Sequence, residues 1–330
     1  MWFKTWFGAL LKSYLFMVND GNDDKDSLAN PLKYGLENTE NIYFPSLDKR
    51  SASDRLGGWF IKPLNRRTGT DTVSKQNQAP NTCNAENCMD EKLSVDKLSS
   101  EDTVFILLHG NAKNRGAAHR LAAYKIFQNL GYYTLTVDYR GYGDSVMSFP
   151  LNETTVVEDA KAAIKLIRDS VGDEAKLIIY GHSMGTGITA HSVAESMMED
   201  VGRVDGIILD SPFHSFRALL KLETWIGSTL NYLLDLEGFF QSIDIQFNSP
   251  EWLKSLPIPV RVFHAVVDPV TPLEGAKQLV SDVKSSGKQN IDMVIWEEEG
   301  LGHIGISTTK TFPKEIKRFT DMVHGNIAKL

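Results

Sequence analysis

The chain has 330 residues, 42% of them hydrophobic and 23% charged, the composition of a soluble globular protein. Its formal net charge is −7 and no lysine or arginine run exceeds two residues, which argues against a nucleic-acid surface, since phosphate binding needs clustered positive charge. Two cysteines, Cys83 and Cys88, exclude a disulfide framework, and no zinc spacing is present.

The first 18 residues, MWFKTWFGALLKSYLFMV, form the most apolar stretch. On a helix, Lys4, Thr5, Gly8 and Lys12 share one narrow face, and Trp2, Phe3, Trp6 and Phe7 fall on the rest. The run is shorter than the roughly 20 residues of a bilayer crossing, and two lysines interrupt it. An interfacial helix fits better, with the aromatic residues in the acyl boundary and the lysines near headgroups. A signal peptide is a further reading, though no small-x-small cleavage site follows. The alternative is a helix packed on the protein's own core.

Residues 19 to 33 are polar and read as a linker, and the main domain is expected over 34–330. Two β-like stretches follow, near Asn41–Phe44 and Gly58–Lys62. Residues 65–102 have few large apolar side chains and no period, which predicts a mobile surface insertion carrying Cys83 and Cys88. From 103 the pattern is regular. TVFILL is a short apolar run of the kind buried on both faces, followed by a helix over 116–129 and a strand in YYTLTVDY. A helix is expected over 155–169, opened by a Thr155-x-x-Glu158 capping box, and then the buried strand KLIIY. Beyond lie a helix over 186–199, strands at 206–210, 260–266 and 292–296, a helix over 273–286 and a last helix from Lys314. Strands alternating with helices predict an α/β fold with a doubly wound, mostly parallel sheet.

Between KLIIY and the next helix stands Gly181-His182-Ser183-Met184-Gly185. A Gly-x-Ser-x-Gly pentapeptide occurs by chance in roughly one chain of this length in ten. Its place between a strand and a helix is what makes it a candidate nucleophile turn, with Ser183 as the nucleophile. A serine hydroxyl needs a base, and the base needs an orienting group. His303, in a glycine-flanked loop after the last strand, is the expected base; His324 sits in the terminal helix and reads as a surface residue. Asp268, opening the turn DPVTP after a strand, is the expected acid, and Asp210, ending the preceding strand, is its rival. An oxyanion would need two N–H donors, expected from the backbone of Met184 and from Asn111 in the loop LLHGNAKN. His109 and His182 read as braces of their turns. The scheme calls for no cofactor and no metal.

The stretches LLHGNAKNRGAAHR, DYRGYGDS, YGHSMGTG, ILDSPF and HAVVDPVTP resemble the α/β-hydrolase-domain lipases, most of all the monoacylglycerol and lysophosphatidylserine lipase branch. The likeness covers roughly residues 100–305; the insertion at 65–102 is foreign to it, and around His303 it holds only through a Leu-Gly pair and the histidine. The resemblance implies an α/β-hydrolase fold with Ser183, Asp268 and His303 as triad and Asn111 and Met184 as oxyanion donors. It implies a lipid ester as substrate, a membrane surface as partner, and a membrane-associated location, the endoplasmic reticulum among the candidates and the cytoplasm the alternative. Residues 211–256 carry Phe213, Phe216, Trp225, Tyr232, Phe239, Phe240, Phe247 and Trp252, more large apolar residues than a connecting helix requires, and are expected to form a helical cap that accepts an acyl chain. The same triad would serve a protein depalmitoylase or other thioesterase, and a catalytically silent binding protein on the same fold is the alternative outside enzymology.

Overall fold

The computed structural model describes residues 2–18, 25–51, 54–64, 93–95, 97–223 and 236–327. The strands are β1 (Thr39–Pro45), β2 (Arg55–Ile61), β3 (Thr103–Leu108), β4 (Tyr133–Val137), β5 (Lys176–His182), β6 (Gly206–Asp210), β7 (Val260–Ala265) and β8 (Ile291–Trp296). They join in one sheet in the order β1-β2-β4-β3-β5-β6-β7-β8. The pairs among β3 to β8 are all parallel, whereas β1 and β2 pair antiparallel. Parallel neighbours need a crossover, and the helices supply it.

Strand β3 shows why such runs are apolar at every position. Phe105 and Leu107 pack into a layer with helices α3 (Ala118–Asn129) and α10 (Phe312–Val323). Val104, Ile106 and Leu108 point the other way, into a layer with α4 (Glu153–Val171), α5 (Met184–Met198) and α9 (Leu273–Ser285). Alternate side chains go to opposite faces and both faces are covered, so Val104 to Leu108 are all apolar and buried, and the polar Thr103 stands only at the strand's start.

Local chemistry moves some boundaries. Helix α4 starts two residues before the expected 155. Its N-cap is Asn152, whose side chain accepts from Thr155 N–H at 2.9 Å while the Thr155 hydroxyl faces the Asn152 backbone N–H at 3.0 Å. The capping box is Asn152-x-x-Thr155, because asparagine caps as well as serine or threonine do. The polar stretch 19–33 also carries structure: Lys25–Leu28 is a short helix, α2, Pro31–Tyr34 is a 3₁₀ turn, and Leu28 is fully buried with its carbonyl accepting from Trp59 Nε1 at 2.8 Å. Residues 65–92 and 96, with Cys83 and Cys88, lie outside the described residues; Leu93 and Leu98, at the end of the expected insertion, are buried in the core.

Between β6 and β7 run α6 (Phe216–Glu223), α7 (Leu236–Ser242) and α8 (Ser249–Ser255); Trp225 and Tyr232 lie outside the described residues. Phe213, Phe216, Phe239, Phe240 and Phe247 are buried. The segment is pinned at its base by Glu153, which accepts the N–H groups of Gln246 and Phe247 at 2.6 and 2.7 Å, and by Trp252, which stacks on His191 at 3.9 Å between ring centroids.

Helix α1 (Trp2–Leu15) lies against this segment with a facing that differs in part from the one the sequence suggests: Trp6 stays outward, whereas Phe7 and Gly8 turn inward. Phe7 stacks on Phe239 at 5.5 Å, so it is engaged by protein, and Gly8 is buried where a Cβ would lie 2.9 Å from Ile243 Cγ2. Gly8 therefore marks the side of closest approach between helices. Lys12 is half-buried near Asp244, and burial lowers its pKa against that neighbouring charge. The outward stripe is Trp6, Leu10 and Tyr14, each about half exposed at spacings of four. Among the described residues, no helix is long and apolar enough to cross a membrane.

Candidate active site

Strand β5 ends at His182 and helix α5 begins at Met184, so Ser183 alone makes the turn. It does so at φ 54° and ψ −121°, a conformation that L residues rarely adopt and that the surroundings must enforce. They do. The Ser183 N–H donates to Asp210 O at 2.9 Å, and the Ser183 carbonyl accepts from the N–H and hydroxyl of Thr186 at 2.9 and 2.7 Å. The two motif glycines are sterically required. A Cβ on Gly181 would overlap Gly185 O and Thr189 Oγ1, and one on Gly185 would overlap the carbonyl of Leu108. Gly110 is less constrained: its Cβ would stand 3.1 Å from that of Ser183, a tight contact rather than an overlap.

Three loops at the carboxyl ends of the strands bring the rest together. His303, from the loop after β8, places Nε2 2.8 Å from Ser183 Oγ and Nδ1 2.8 Å from Asp268 Oδ2. Asp268 stands in the turn after β7, where Oδ1 accepts from Val270 N–H at 2.8 Å and Thr271 N–H at 2.9 Å. The Thr271 hydroxyl lies 3.0 Å from Asp268 Oδ2 and 3.2 Å from Ser211 O. Burial opposes the Asp268 charge, but the hydrogen bond and charge of His303, with the Thr271 and Val270 N–H groups, outweigh it and hold the carboxyl at about 2. An ionised Asp268 accepts from Nδ1–H, which leaves Nε2 with a lone pair directed at the serine hydroxyl. That arrangement can take a proton from Ser183 as its oxygen attacks a carbonyl carbon.

Asp210, the rival acid, is at the end of β6 and does not bond to His303. Its Oδ2 accepts from the hydroxyl of Tyr180, and the hydroxyl of Ser211 is 3.2 Å from Oδ1. Burial is the largest influence and raises its pKa to about 6, against the Tyr180 hydrogen bond and the positive influence of His303. It lines a cavity of about 40 Å³ with Tyr180, His119, His182 and Arg120, room enough for ordered water. His182 has a further contact that its reading as a turn brace did not specify: Nε2 donates to the carbonyl of His303 at 2.9 Å. Burial, then the charge of His303, drives its pKa well down, so it stays neutral with the Nε2–H tautomer that the carbonyl selects.

The N–H of Met184 belongs to the first residue of α5, among those a helix leaves without an intrahelical acceptor. The N–H of Asn111 follows Gly110, which is in contact range of Ser183, and finds no acceptor among the described residues. His109 is fully buried beside Asp138, at 3.4 Å, and Tyr139, away from the serine, and burial lowers its pKa. His324 is half-buried at the end of α10 against the Thr103 hydroxyl, at 2.8 Å, rather than at the surface. Sequence reasoning passed over Thr271 and Tyr180. The DPVT turn holds a signal for the first, a threonine three residues after an acid that its own backbone caps; nothing local marks the second. Among the described residues no cluster of three His, Cys, Asp or Glu side chains is arranged to hold a metal ion.

Comparison with known proteins points the same way as this geometry. The Hydrolase_4 family model, described as serine aminopeptidase S33, matches residues 99–250. The lysophosphatidylserine lipase ABHD12 of Danio rerio is 35% identical over 256 residues, 76% of this chain and 60% of the relative. That of Macaca fascicularis is 34% identical over 196 residues, 58% and 48%, and the ABHD12B protein of Homo sapiens is 30% identical over 214 residues, 60% and 55%. The chain thus spans about half the length of the curated relatives it matches. Among solved structures, an α/β-hydrolase from Vibrio vulnificus aligns with a TM-score of 0.63 at 16% identity, covering 96% of this chain and 92% of the other. A Pyrococcus furiosus esterase aligns at 0.59 and 17%, covering 90% and 93%. At such identities the likeness speaks to the fold. The chain has the α/β-hydrolase fold and is similar to the ABHD12 lysophosphatidylserine lipases and to ABHD12B.

Proposed function

We propose that the protein is a serine hydrolase that cleaves carboxylic esters of monoacylglycerols or lysophospholipids through an acyl-enzyme. The observation that carries this is the continuous chain Ser183 Oγ, His303 Nε2, His303 Nδ1, Asp268 Oδ2, with 2.8 Å at both junctions. Ser183 Oγ attacks the ester carbonyl while His303 Nε2 takes its proton, and Asp268 stabilises the imidazolium. The negative oxygen of the tetrahedral intermediate is received by the N–H groups of Asn111 and Met184. Collapse expels the alcohol, which leaves with the proton from His303. Water then attacks the acyl-serine by the same relay, releasing the fatty acid and restoring Ser183.

The lipid class rests on two supports: relatives named as lysophosphatidylserine lipases, and the apolar character of the 211–256 excursion, read as a cap over an acyl chain. The membrane surface is met by the outer stripe of α1, Trp6, Leu10 and Tyr14, with Met17 beyond its end. The same relay would serve a thioester, so the discriminating measurement is a panel of lysophospholipid, monoacylglycerol and acyl-thioester substrates. Ser183→Ala should abolish turnover, by several orders of magnitude, together with labelling by a fluorophosphonate. Wild-type labelling of the alanine variant removes Ser183 as nucleophile, and a wild-type chain that labels but turns over only thioesters moves the substrate class.

A further inference from the structure

The end of α1 reaches the active-site loop. Met17 N–H donates to Asn111 O at 2.9 Å, and Met17 forms a parallel bridge with Ala112. The hydroxyl of Tyr142 donates to the same carbonyl at 2.9 Å, and Asn111 Nδ2 lies 3.5 Å from Tyr14 O. Leu15 and Phe16, just before this contact, are buried, and Arg120 holds the far side of the loop through the carbonyls of Ala112 and Asn114. We propose that α1 is a positioning element of the active site, its C-terminal end fixing the carbonyl of Asn111, the residue whose N–H receives the oxyanion, so that the seating of α1 sets the rate of hydrolysis. This rests on the reading above, in which the Asn111 N–H is an oxyanion donor.

The need for such a clamp follows from Gly110. A Cβ at Gly110 would crowd that of Ser183 at 3.1 Å, and the glycine that relieves this leaves the backbone before Asn111 with little intrinsic restraint. An oxyanion donor is effective in proportion to how well it is aimed before the reaction. The N–H and C=O of Asn111 lie in successive peptide planes separated only by the φ and ψ of one residue, so holding the carbonyl from outside narrows the directions open to the N–H. Two donors converge on that carbonyl, and one of them comes from a segment 94 residues earlier in the chain. A segment expected from sequence to be peripheral is thereby part of the frame of the site, while its outer stripe faces away.

The test uses the full chain, a short water-soluble ester and no lipid, with active sites counted by fluorophosphonate stoichiometry. Met17→Pro removes the N–H donor. We expect kcat per labelled site to fall by about 10- to 100-fold with KM changed little, since a displacement near 1 Å costs about that much. Tyr142→Phe should give a smaller loss of the same kind. Leu11→Ala, which loosens the seat of α1 and keeps every hydrogen-bonding group, should also lower kcat per site, and it decides the matter if Met17→Pro does not fold. A merely structural role would reduce the number of labelled sites and leave the rate of each unchanged. Wild-type kcat per site in Leu11→Ala together with Met17→Pro or Tyr142→Phe overturns the proposal while the hydrolase reading stands. A wild-type chain with neither labelling nor turnover overturns both.

Discussion

Asp210 and Asp268 stand at the carboxyl ends of neighbouring parallel strands, Asp210 as the last residue of β6 and Asp268 in the turn after β7, and their chemistry is opposite. The turn after β7 gives Asp268 two backbone N–H groups, the Thr271 hydroxyl and His303, and its carboxyl is held at about 2. The end of β6 gives Asp210 a wall of buried side chains and the Tyr180 hydroxyl, and its carboxyl rises to about 6. The type of residue and the place in the fold are the same. What differs is the number of donors that face the charge, and that number separates an ionised orienting group from a carboxyl that burial drives toward its neutral form.

The sharpest way to break the comparison is to neutralise each acid in turn. Asp268→Asn removes the acceptor that fixes the His303 tautomer and should lower kcat by about 10⁴-fold with the fold intact. Asp210→Asn should change kcat by less than about tenfold, because Asp210 reaches the serine through its backbone carbonyl, which the substitution keeps. Steady-state rates on one ester check both, and the reverse order of effects would give the acid role to Asp210.

Stability against pH sharpens it further, because the two signs oppose. The folded pKa of Asp268 is depressed, so its contribution is present above about pH 4 and is lost as pH falls toward 2. The folded pKa of Asp210 is raised, so the folded chain keeps a proton that the unfolded chain releases between pH 4 and 6. Stability therefore declines across that window, by roughly 3 kcal/mol. Thermal unfolding from pH 3 to 8 should show Asp210→Asn flatter than wild type between pH 4 and 6. A variant that tracks wild type through this range would mean that Asp210 is no more protonated folded than unfolded. The smallest effect is expected from Thr271→Val, which removes one donor of four from Asp268 and should cost a few-fold in kcat and about 1 kcal/mol of stability.

The sheet was legible because its signal is local. VFILL, LIIY and GIIL are nearly continuous apolar runs, as strands covered on both faces usually are. The Gly181 and Gly185 spacing was legible for the same reason, since the turn it permits lies within five residues. Side-chain partnerships across the chain were not. Tyr180 meets Asp210 across 30 residues, and Met17 meets Asn111 across 94. The facing of α1 was misread because a helical wheel sorts residues by polarity, and Gly8 counted as polar when its absent side chain is what lets α1 approach Ile243. At α4 the error was one of chemistry: a threonine was taken as the cap when it was the third residue of a box opened by Asn152.

The bond from Ser183 N–H to Asp210 O carries the β5–β6 ladder one residue past the strand, into the strained turn itself. A deuterium placed on that nitrogen can leave only when the two strands part, so its lifetime is that of the sheet's own opening. The next nitrogen along, at Met184, has no strand to hold it. Two adjacent amides, one slow and one fast, would thus report in a single exchange experiment how rigid the backbone is beneath the nucleophile and how open it is one step beyond.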